Sequence, residues 1–185
     1  MRKTYALIVV TVLIGLTPLV RADLVEATQL KKIKKIFKQA QESSDLYHSV
    51  VQLNAEKAPA PAMGPFDKHF DFYWRWIPGE KWQLVRAEIN ATRGTASSHH
   101  KYLFDDRGRL IFVYRKFPDL PTVAQPDPPD VEERLYFYDE ILFRYQKATR
   151  VLAADTQEAN MIEDEVEAEA ARVKKAFEAM SEAAR

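Results

Sequence analysis

The chain has 185 residues, of which 46% are hydrophobic, and its 27 basic residues balance its 27 acidic residues. This balance excludes both a strongly basic nucleic-acid-binding protein and a highly acidic disordered chain. The sequence contains no cysteine, which excludes a disulfide-stabilised scaffold, a thiol nucleophile and a cysteine-ligated zinc site.

Residues 1–22 have the pattern of a secretory signal peptide. Arg2 and Lys3 supply the positive charge, and the fifteen residues 6–20 form a mostly apolar run. Cleavage before Asp23 leaves a mature chain with 24 basic and 27 acidic residues, a net charge of −3. The run is shorter than the about 20 residues of a membrane-spanning helix, although a retained anchor is the alternative. We therefore expect an exported protein, located in the periplasm or outside the cell.

Residues 23–57 are expected to be helical. Apolar residues recur at helical spacing in the first part of this segment, namely Leu30, Ile33, Phe37 and Ala40. A break near Ser43 separates them from a second predicted helix, whose apolar residues are Leu46, Val50 and Leu53. The Pro- and Ala-rich residues 58–65 are interpreted as a connector.

Residues 66–150 are expected to form an antiparallel sheet. This region holds 17 of the 21 aromatic residues of the chain, a bias that favours strands over helices. From His69 to Trp76, aromatic residues alternate with more polar ones, which is the period of a half-buried strand. Turn signals then divide the region into about six strands, and residues 118–130, with five prolines, form a loop or an extended crossing.

Residues 155–185 are expected to form one long helix. Its apolar side chains step by three or four residues, which places a continuous stripe along one side: Ala159, Ile162, Val166, Ala170, Val173, Phe177, Met180 and Ala184. We expect this stripe to pack on the sheet, and a coiled-coil pairing with a second chain is the alternative. The elements together predict one α+β domain over residues 23–185, a curved antiparallel meander with the N- and C-terminal helices covering one face.

Two segments of the predicted sheet resemble each other. Residues 101–116 align with residues 134–147 after a two-residue gap, with five identical pairs: Phe104 and Phe137, Asp106 and Asp139, Phe112 and Phe143, Tyr114 and Tyr145, Lys116 and Lys147. We interpret them as one hairpin used twice, with aromatic residues paired across its strands. The unit resembles the Y-x-F-D-x-x-G-x-L-I-F hairpins of many exported bacterial proteins of unknown function. It is more loosely similar to the tyrosine–aspartate repeats of Rhs-type shells and the hairpins of MORN-like antitoxins. This resemblance implies a hairpin and supplies no catalytic residue.

Three tryptophans are the candidates for ligand binding. Trp74 and Trp76 lie on the same face of one predicted strand, and Trp82 follows across a turn, close to Trp76. Such a cluster can line a groove for an apolar ligand or a sugar, or the C-terminal helix can cover it as core. The other face of the same strand carries mixed polar residues suited to a partner, namely His69, Tyr73 and Arg75.

The sequence predicts no catalytic residue, metal or cofactor. His99 and His100 are adjacent on a predicted strand, so they point to opposite faces and do not chelate one metal together. Ser97 and Ser98 lack the Gly-x-Ser-x-Gly pattern of a nucleophile elbow. Carboxylate pairs for acid–base chemistry are available, as they are in any chain with 27 acidic residues.

We therefore predict an exported, non-enzymatic protein that binds a small ligand or an envelope protein. Nucleic acid is not among the expected partners, and the membrane is contacted only through an uncleaved signal peptide. One alternative is a structural protein that forms a homodimer through its C-terminal helix. The other is a hydrolase of envelope polymers that uses a carboxylate pair.

Overall fold

The structure, a computed structural model, describes residues 18–54, 56, 59–60, 64–79, 82–94, 96–119 and 129–184. Most of the predicted signal peptide and of the proline-rich loop, and half of the connector, lie outside the described residues. The described elements, in chain order, are α1 (Pro18–Glu42), β1 (Tyr47–Leu53), β2 (Pro59–Ala60), β3 (Gly64–Trp76), β4 (Trp82–Arg93), β5 (Ala96–Phe104), β6 (Leu110–Pro118), β7 (Asp130–Tyr138), β8 (Ile141–Lys147), β9 (Arg150–Leu152) and α2 (Gln157–Ala183). Among them, no helix combines the length and the apolar character needed to cross a membrane.

The fold is α+β, and its centre is an open antiparallel sheet. Eight strands are hydrogen-bonded in the order β1, β3, β4, β5, β6, β7, β8 and β9, and the short β2 pairs only with β3. From β3 to β9 each strand therefore pairs with the next strand in the chain, as expected for a meander. The sheet has eight strands rather than about six because β1 and β9 extend it at its two edges.

The predicted second helix is wrong, because the segment that contains Leu46, Val50 and Leu53 forms strand β1. Its residues pair with β3 from Tyr47 opposite Trp74 to Leu53 opposite Lys68. Val50 and Leu53 are exposed there, whereas Val51 packs against the core. Apolar residues spaced by three and four positions fit a helix locally, but pairing with the aromatic β3 decides the conformation.

The two helices lie on opposite faces of the sheet, which corrects the expectation that both cover one face. The stripe of α2 packs on one face, with Val166, Val173 and Phe177 among its buried residues. Ile33 and Ala40 of α1 pack on the other face. Side chains on alternate positions of β4 to β8 are apolar on both faces, so each face supports a helix of its own.

Three β-bulges lie under α1, on alternate strands of the sheet. Register shifts in the β3–β4, β5–β6 and β7–β8 pairs leave one extra residue in β4, β6 and β8, which are Val85, Ile111 and Phe143. All three extra side chains belong to the cluster that packs against α1. A bulge bends its strand and increases the local twist, so we expect the sheet to bend beneath α1.

The bulges also correct the alignment of the two similar hairpins. Tyr114 and Tyr145, which are paired in the sequence alignment, lie on opposite faces, since Tyr114 packs in the α1 cluster and Tyr145 in the α2 cluster. The register instead makes Leu110 equivalent to Leu142, because they pair with Phe104 and Phe137 respectively. The two hairpins therefore align with a gap of one residue rather than two.

Candidate functional site

The face of the sheet that carries α1 is only partly covered by that helix. α1 packs over the end of the sheet near the β5–β6 and β7–β8 turns, where Leu103, Phe112 and Tyr136 are buried. Farther along the same face, no described helix or strand lies above the side chains. We call this surface the polar sheet face; beside the exposed Val50, its residues are His48, Gln52, His69, Asp71, Tyr73, Arg86, Glu88, Asn90, His99, Lys101, Tyr114, Lys116, Glu132 and Arg134.

The strand register arranges this face in rows that run across the sheet. In one row Asp71, Glu88, Lys101 and Tyr114 lie opposite each other in successive strands. The next row is formed in the same way by His69, Asn90, His99 and Lys116. Directly opposite side chains in a sheet are close enough to interact, and in these rows Glu88 contacts Lys101 and Asn90 contacts His99.

Glu88 is at the centre of the polar sheet face. Its carboxylate lies 3.3 Å from the ammonium of Lys101 and 3.6 Å from Nε2 of His99. The Nε of Arg86 is 3.3 Å away, without the geometry of a hydrogen bond. The Glu88 side chain is only 15% exposed, and the surrounding cations compensate for its lost hydration.

Tyr73 forms an aromatic platform beside this centre. The guanidinium of Arg86 lies 3.8 Å from the centroid of the Tyr73 ring, and the imidazole of His48 stacks on the same ring at 4.7 Å. Because β1 and β4 flank β3, the two groups approach the ring from its two sides. His48 is also 2.9 Å from the carboxylate of Asp71, so the platform is connected to the charged centre.

A shallow polar depression of about 230 Å³ lies at the far end of the face, away from α1. Nε2 of His69 is 2.9 Å from Nε2 of Gln52 and 3.2 Å from Oδ2 of Asp67. The other carboxylate oxygen of Asp67 is buried and has no hydrogen-bond partner among the described residues. This carboxylate therefore depends on His69 for its polar contact.

Burial lowers the pKa of His99, and Lys101 lowers that pKa further, although Glu88 acts in the opposite direction. The imidazole of His99 is therefore neutral at pH 7. Its Nδ1 lies 2.5 Å from the amide oxygen of Asn90, to which it donates a hydrogen bond. At neutral pH this part of the face carries its positive charge on Arg86 and Lys101.

Of the three residues predicted to form a partner surface, His69 and Tyr73 lie on the polar sheet face. Arg75 lies apart from them, because its guanidinium donates hydrogen bonds to Gln83 at 2.7 Å and to Asp106 at 2.5 Å, near the end covered by α1. The prediction missed His48, Arg86, Glu88 and Lys101. The alternation of Arg86 and Glu88 along β4 was a usable signal, whereas His48 was hidden in a segment predicted to be helical.

The three tryptophans do not share one environment. Trp74 stacks on Tyr47 at 4.6 Å and on Trp82 at 4.2 Å, and it packs against Phe177 of α2. Trp76 is paired with Trp82 in the backbone register, but its side chain is exposed. Trp82 also lines an open groove of about 590 Å³ between the β3–β4 turn and the C-terminal half of α2. Ligand binding by these residues stays a prediction.

Beneath α2, on the opposite face, lies a buried ion pair that the sequence analysis did not single out. Arg115 donates to Glu133 at 3.0 Å from Nε and at 2.5 Å from Nη2, and to Glu165 of α2 at 2.7 Å. The hydroxyl of Tyr145 donates to Glu133 at 2.6 Å. Since these groups are satisfied by each other, they connect β6, β7, β8 and α2 into one unit.

A second polar contact holds α2 at the neighbouring strand β5. Nδ1 of His100 lies 3.3 Å from the carboxylate of Glu169. Burial by itself would raise the pKa of Glu169, but hydrogen bonds from His100 and Tyr102 outweigh it and hold that pKa at about 2. Burial also raises the pKa of Tyr102 and of Tyr145, so both phenols stay protonated and act as hydrogen-bond donors to glutamates.

Comparison of the chain with protein-family models, with curated proteins and with solved structures found no match. The chemistry of the candidate site is therefore read from its own residues. Within the described ranges, no group of three or more histidine, aspartate or glutamate side chains is arranged to hold a metal ion. The polar sheet face offers hydrogen bonds, ion pairs and the aromatic surfaces of Tyr73 and Tyr114.

Proposed function

We propose that this chain is an exported, non-enzymatic protein that binds another protein of the cell envelope through the polar sheet face. The observation that supports this most is a sheet face that is polar, ordered by its own side-chain contacts and without a described element above it. The opposite face of the sheet packs against α2. On the face with the polar residues, α1 covers the part that these residues leave.

The shape of the surface favours a protein over a small molecule. Pockets for small ligands are concave and enclose about 300–1,000 Å³. The depression on the polar sheet face, at about 230 Å³, is smaller and shallow. The face extends over six neighbouring strands, which corresponds to a flat surface roughly 24 Å wide, the scale of a transient protein interface.

The side chains define the chemistry of the partner. Arginine and tyrosine are enriched at protein interfaces, and here Arg86 lies on Tyr73 and Arg134 lies 5.4 Å from the centroid of Tyr114. Acidic and basic groups are mixed on this face, since Glu88 lies opposite Lys101 and Lys116 lies opposite Glu132, so the partner presents a complementary, mixed set of charges. The mutual contacts hold the side chains before binding, which lowers the entropic cost of association.

The setting in the cell envelope is supported by residues 1–22. Their basic start and apolar run have the form of a secretory signal peptide. A chain without cysteine is also independent of the redox state of the compartment that receives it.

Site-specific photo-cross-linking tests this proposal. A photoreactive phenylalanine analogue replaces Tyr73 or Tyr114 in the full chain, expressed in its native cells. Tyr138, an exposed tyrosine on the β7–β8 turn, is the matched control. We expect both positions on the polar sheet face to yield the same discrete protein adduct and Tyr138 to yield none.

The substitution Lys101→Glu adds a second readout. It replaces the ammonium that lies 3.3 Å from the carboxylate of Glu88 with a second acidic group opposite Glu88, so we expect it to remove the adduct at Tyr73. Absence of an adduct at Tyr73 and Tyr114, or the same adduct at Tyr138, contradicts the proposal.

A further inference from the structure

The outer surface of α1 carries a line of lysines. Lys31, Lys34, Lys35 and Lys38 are spaced as i, i+3, i+4 and i+7, so they lie along one side of the helix. All four are exposed, on the side opposite the buried Ile33. We call them the lysine surface.

The lysine surface has a strong excess of positive charge. Residues 27–42 contain five lysines and one acidic residue, Glu42, which lies 3.8 Å from Lys38 in an exposed pair. An exposed ion pair of this kind is weak and remains open to exchange with an external anion. The buried Ile33 and Ala40 of α1 pack against the sheet, and the exposed side chains of residues 31–38 are all lysines.

The opposite side of the molecule is acidic. The N-terminal half of α2, residues 157–171, has six acidic residues and no basic one. Because α1 and α2 lie on opposite faces of the sheet, the molecule has a positive side and a negative side. A charge distribution of this form orients in the field of an anionic surface, with α1 toward it.

We infer that the lysine surface docks on an anionic phospholipid bilayer and turns the polar sheet face, which lies on the same side of the sheet as α1, toward the membrane. Four lysines on one helix are typical of segments that bind anionic headgroups. The mostly apolar residues 6–20 lie ten residues before Lys31 in the chain, which brings α1 close to a bilayer during export. The inference rests on the proposed export, but it uses residues that the polar sheet face does not include.

Binding of this kind is electrostatic and superficial. It depends on lipid charge and is weakened by salt, because about 1 M salt shortens the Debye length to about 3 Å. The acidic α2 of a second copy is the competing occupant of the lysine surface. That contact depends on protein concentration and needs no lipid.

Lysine acetylation footprinting of the full chain tests the inference. The reaction is followed by peptide mass spectrometry with vesicles of phosphatidylcholine, and with the same vesicles containing phosphatidylglycerol. We expect the anionic vesicles to slow acetylation of Lys31, Lys34, Lys35 and Lys38 about threefold or more, and 1 M salt to remove the effect. Lys174 and Lys175 of α2 are internal controls and stay unchanged. The apolar N-terminal residues can contact both kinds of vesicle, so the difference between the two measurements reports the effect of the anionic lipid.

A matched pair of variants gives the second measurement. The quadruple variant K31Q/K34Q/K35Q/K38Q keeps helix propensity, because lysine and glutamine are similar in this respect. We expect it to lose about tenfold or more of the affinity that phosphatidylglycerol adds, while the control K174Q/K175Q retains it. Protection that appears without lipid as the protein concentration rises, or unchanged affinity in the quadruple variant, overturns the inference. The cross-linking at Tyr73 does not depend on these lysines, so failure of one proposal is distinguishable from failure of the other.

Discussion

Glu169 is a residue whose charge contributes to the docking of α2. Its carboxylate lies close to His100 of β5, at 3.3 Å, and is mostly removed from water. Its pKa is about 2, below the ordinary 4.5, so the folded state prefers the charged form. A depressed pKa of an acid gives stability that is present above pH 4.5 and is lost as the pH falls toward 2.

The wild type is expected to lose free energy of unfolding between pH 7 and pH 3. We expect this loss to be about 2 kcal/mol smaller in Glu169→Gln. Urea unfolding of the wild type and of the variant at the two pH values measures this difference. Glu182→Gln is the control, because Glu182 is exposed on the same helix. Equal pH dependence in the wild type and Glu169→Gln would show that Glu169 is not charged preferentially in the folded state.

The ion pair of Arg115 joins elements that are distant in the chain. It connects β6 to Glu133 of β7 and to Glu165 of α2, and both members of the Arg115–Glu133 pair are buried. The attraction within a buried pair is similar in size to the free energy lost when its charges are desolvated, whereas removal of one member leaves an unpaired buried charge. We therefore expect a large loss of stability when only one member of the pair is replaced.

We expect Arg115→Met to lower the free energy of unfolding by about 3–5 kcal/mol. The double variant Arg115→Met/Glu133→Gln recovers most of this loss, because the neutral amide can still accept the hydrogen bond from Tyr145. Denaturant unfolding of the three proteins is the measurement. A double variant as unstable as the single one would mean that lost packing, and not the unpaired charge, causes the effect.

At the scale of the whole molecule, the described side chains of the two helices contact the sheet to different extents. α2 buries six residues, among them Val166, Val173 and Phe177, and makes the polar contacts of Glu165 and Glu169. In α1, Ile33 and Ala40 are buried, and Arg144 forms an ion pair with Glu26 at 2.7 Å. Because its stripe is in contact with the sheet, a homodimer through α2, which stays a prediction, would have to use the outer side of that helix.

We expect the local opening that lets the backbone amides of α1 exchange with solvent to cost less free energy than the opening of α2. Native-state hydrogen exchange resolved by peptide measures both helices in one experiment. Ile33→Ala should remove protection from α1 and leave α2 protected, whereas Val25→Ala, at an exposed position, should change neither. Exchange of both helices at one common free energy would show that the molecule opens as a single cooperative unit.

Short-range patterns in the sequence were sufficient to predict the elements with strong periodicity. The alternation in residues 69–76, the turn at residues 105–108 and the stripe of residues 159–180 each encode their own conformation, and β3, the β5–β6 hairpin and α2 lie where they were expected. The edge strand β1 was missed because residues 46–53 have a weak pattern, and pairing with β3 stabilises them as a strand.

Only the tertiary structure decided which face each helix covers and which side chains meet. Both faces of the sheet are apolar beneath the helices, so periodicity alone does not assign α1 and α2 to opposite sides. His69 and Tyr73 were predicted from one strand, but their neighbours on the polar sheet face come from other strands through a register that includes the bulge at Val85. The sequence by itself thus determined the periodic elements and the basic and acidic segments, because those properties are local. The polar sheet face and the two-sided charge arise from contacts between distant residues, which only the folded chain specifies.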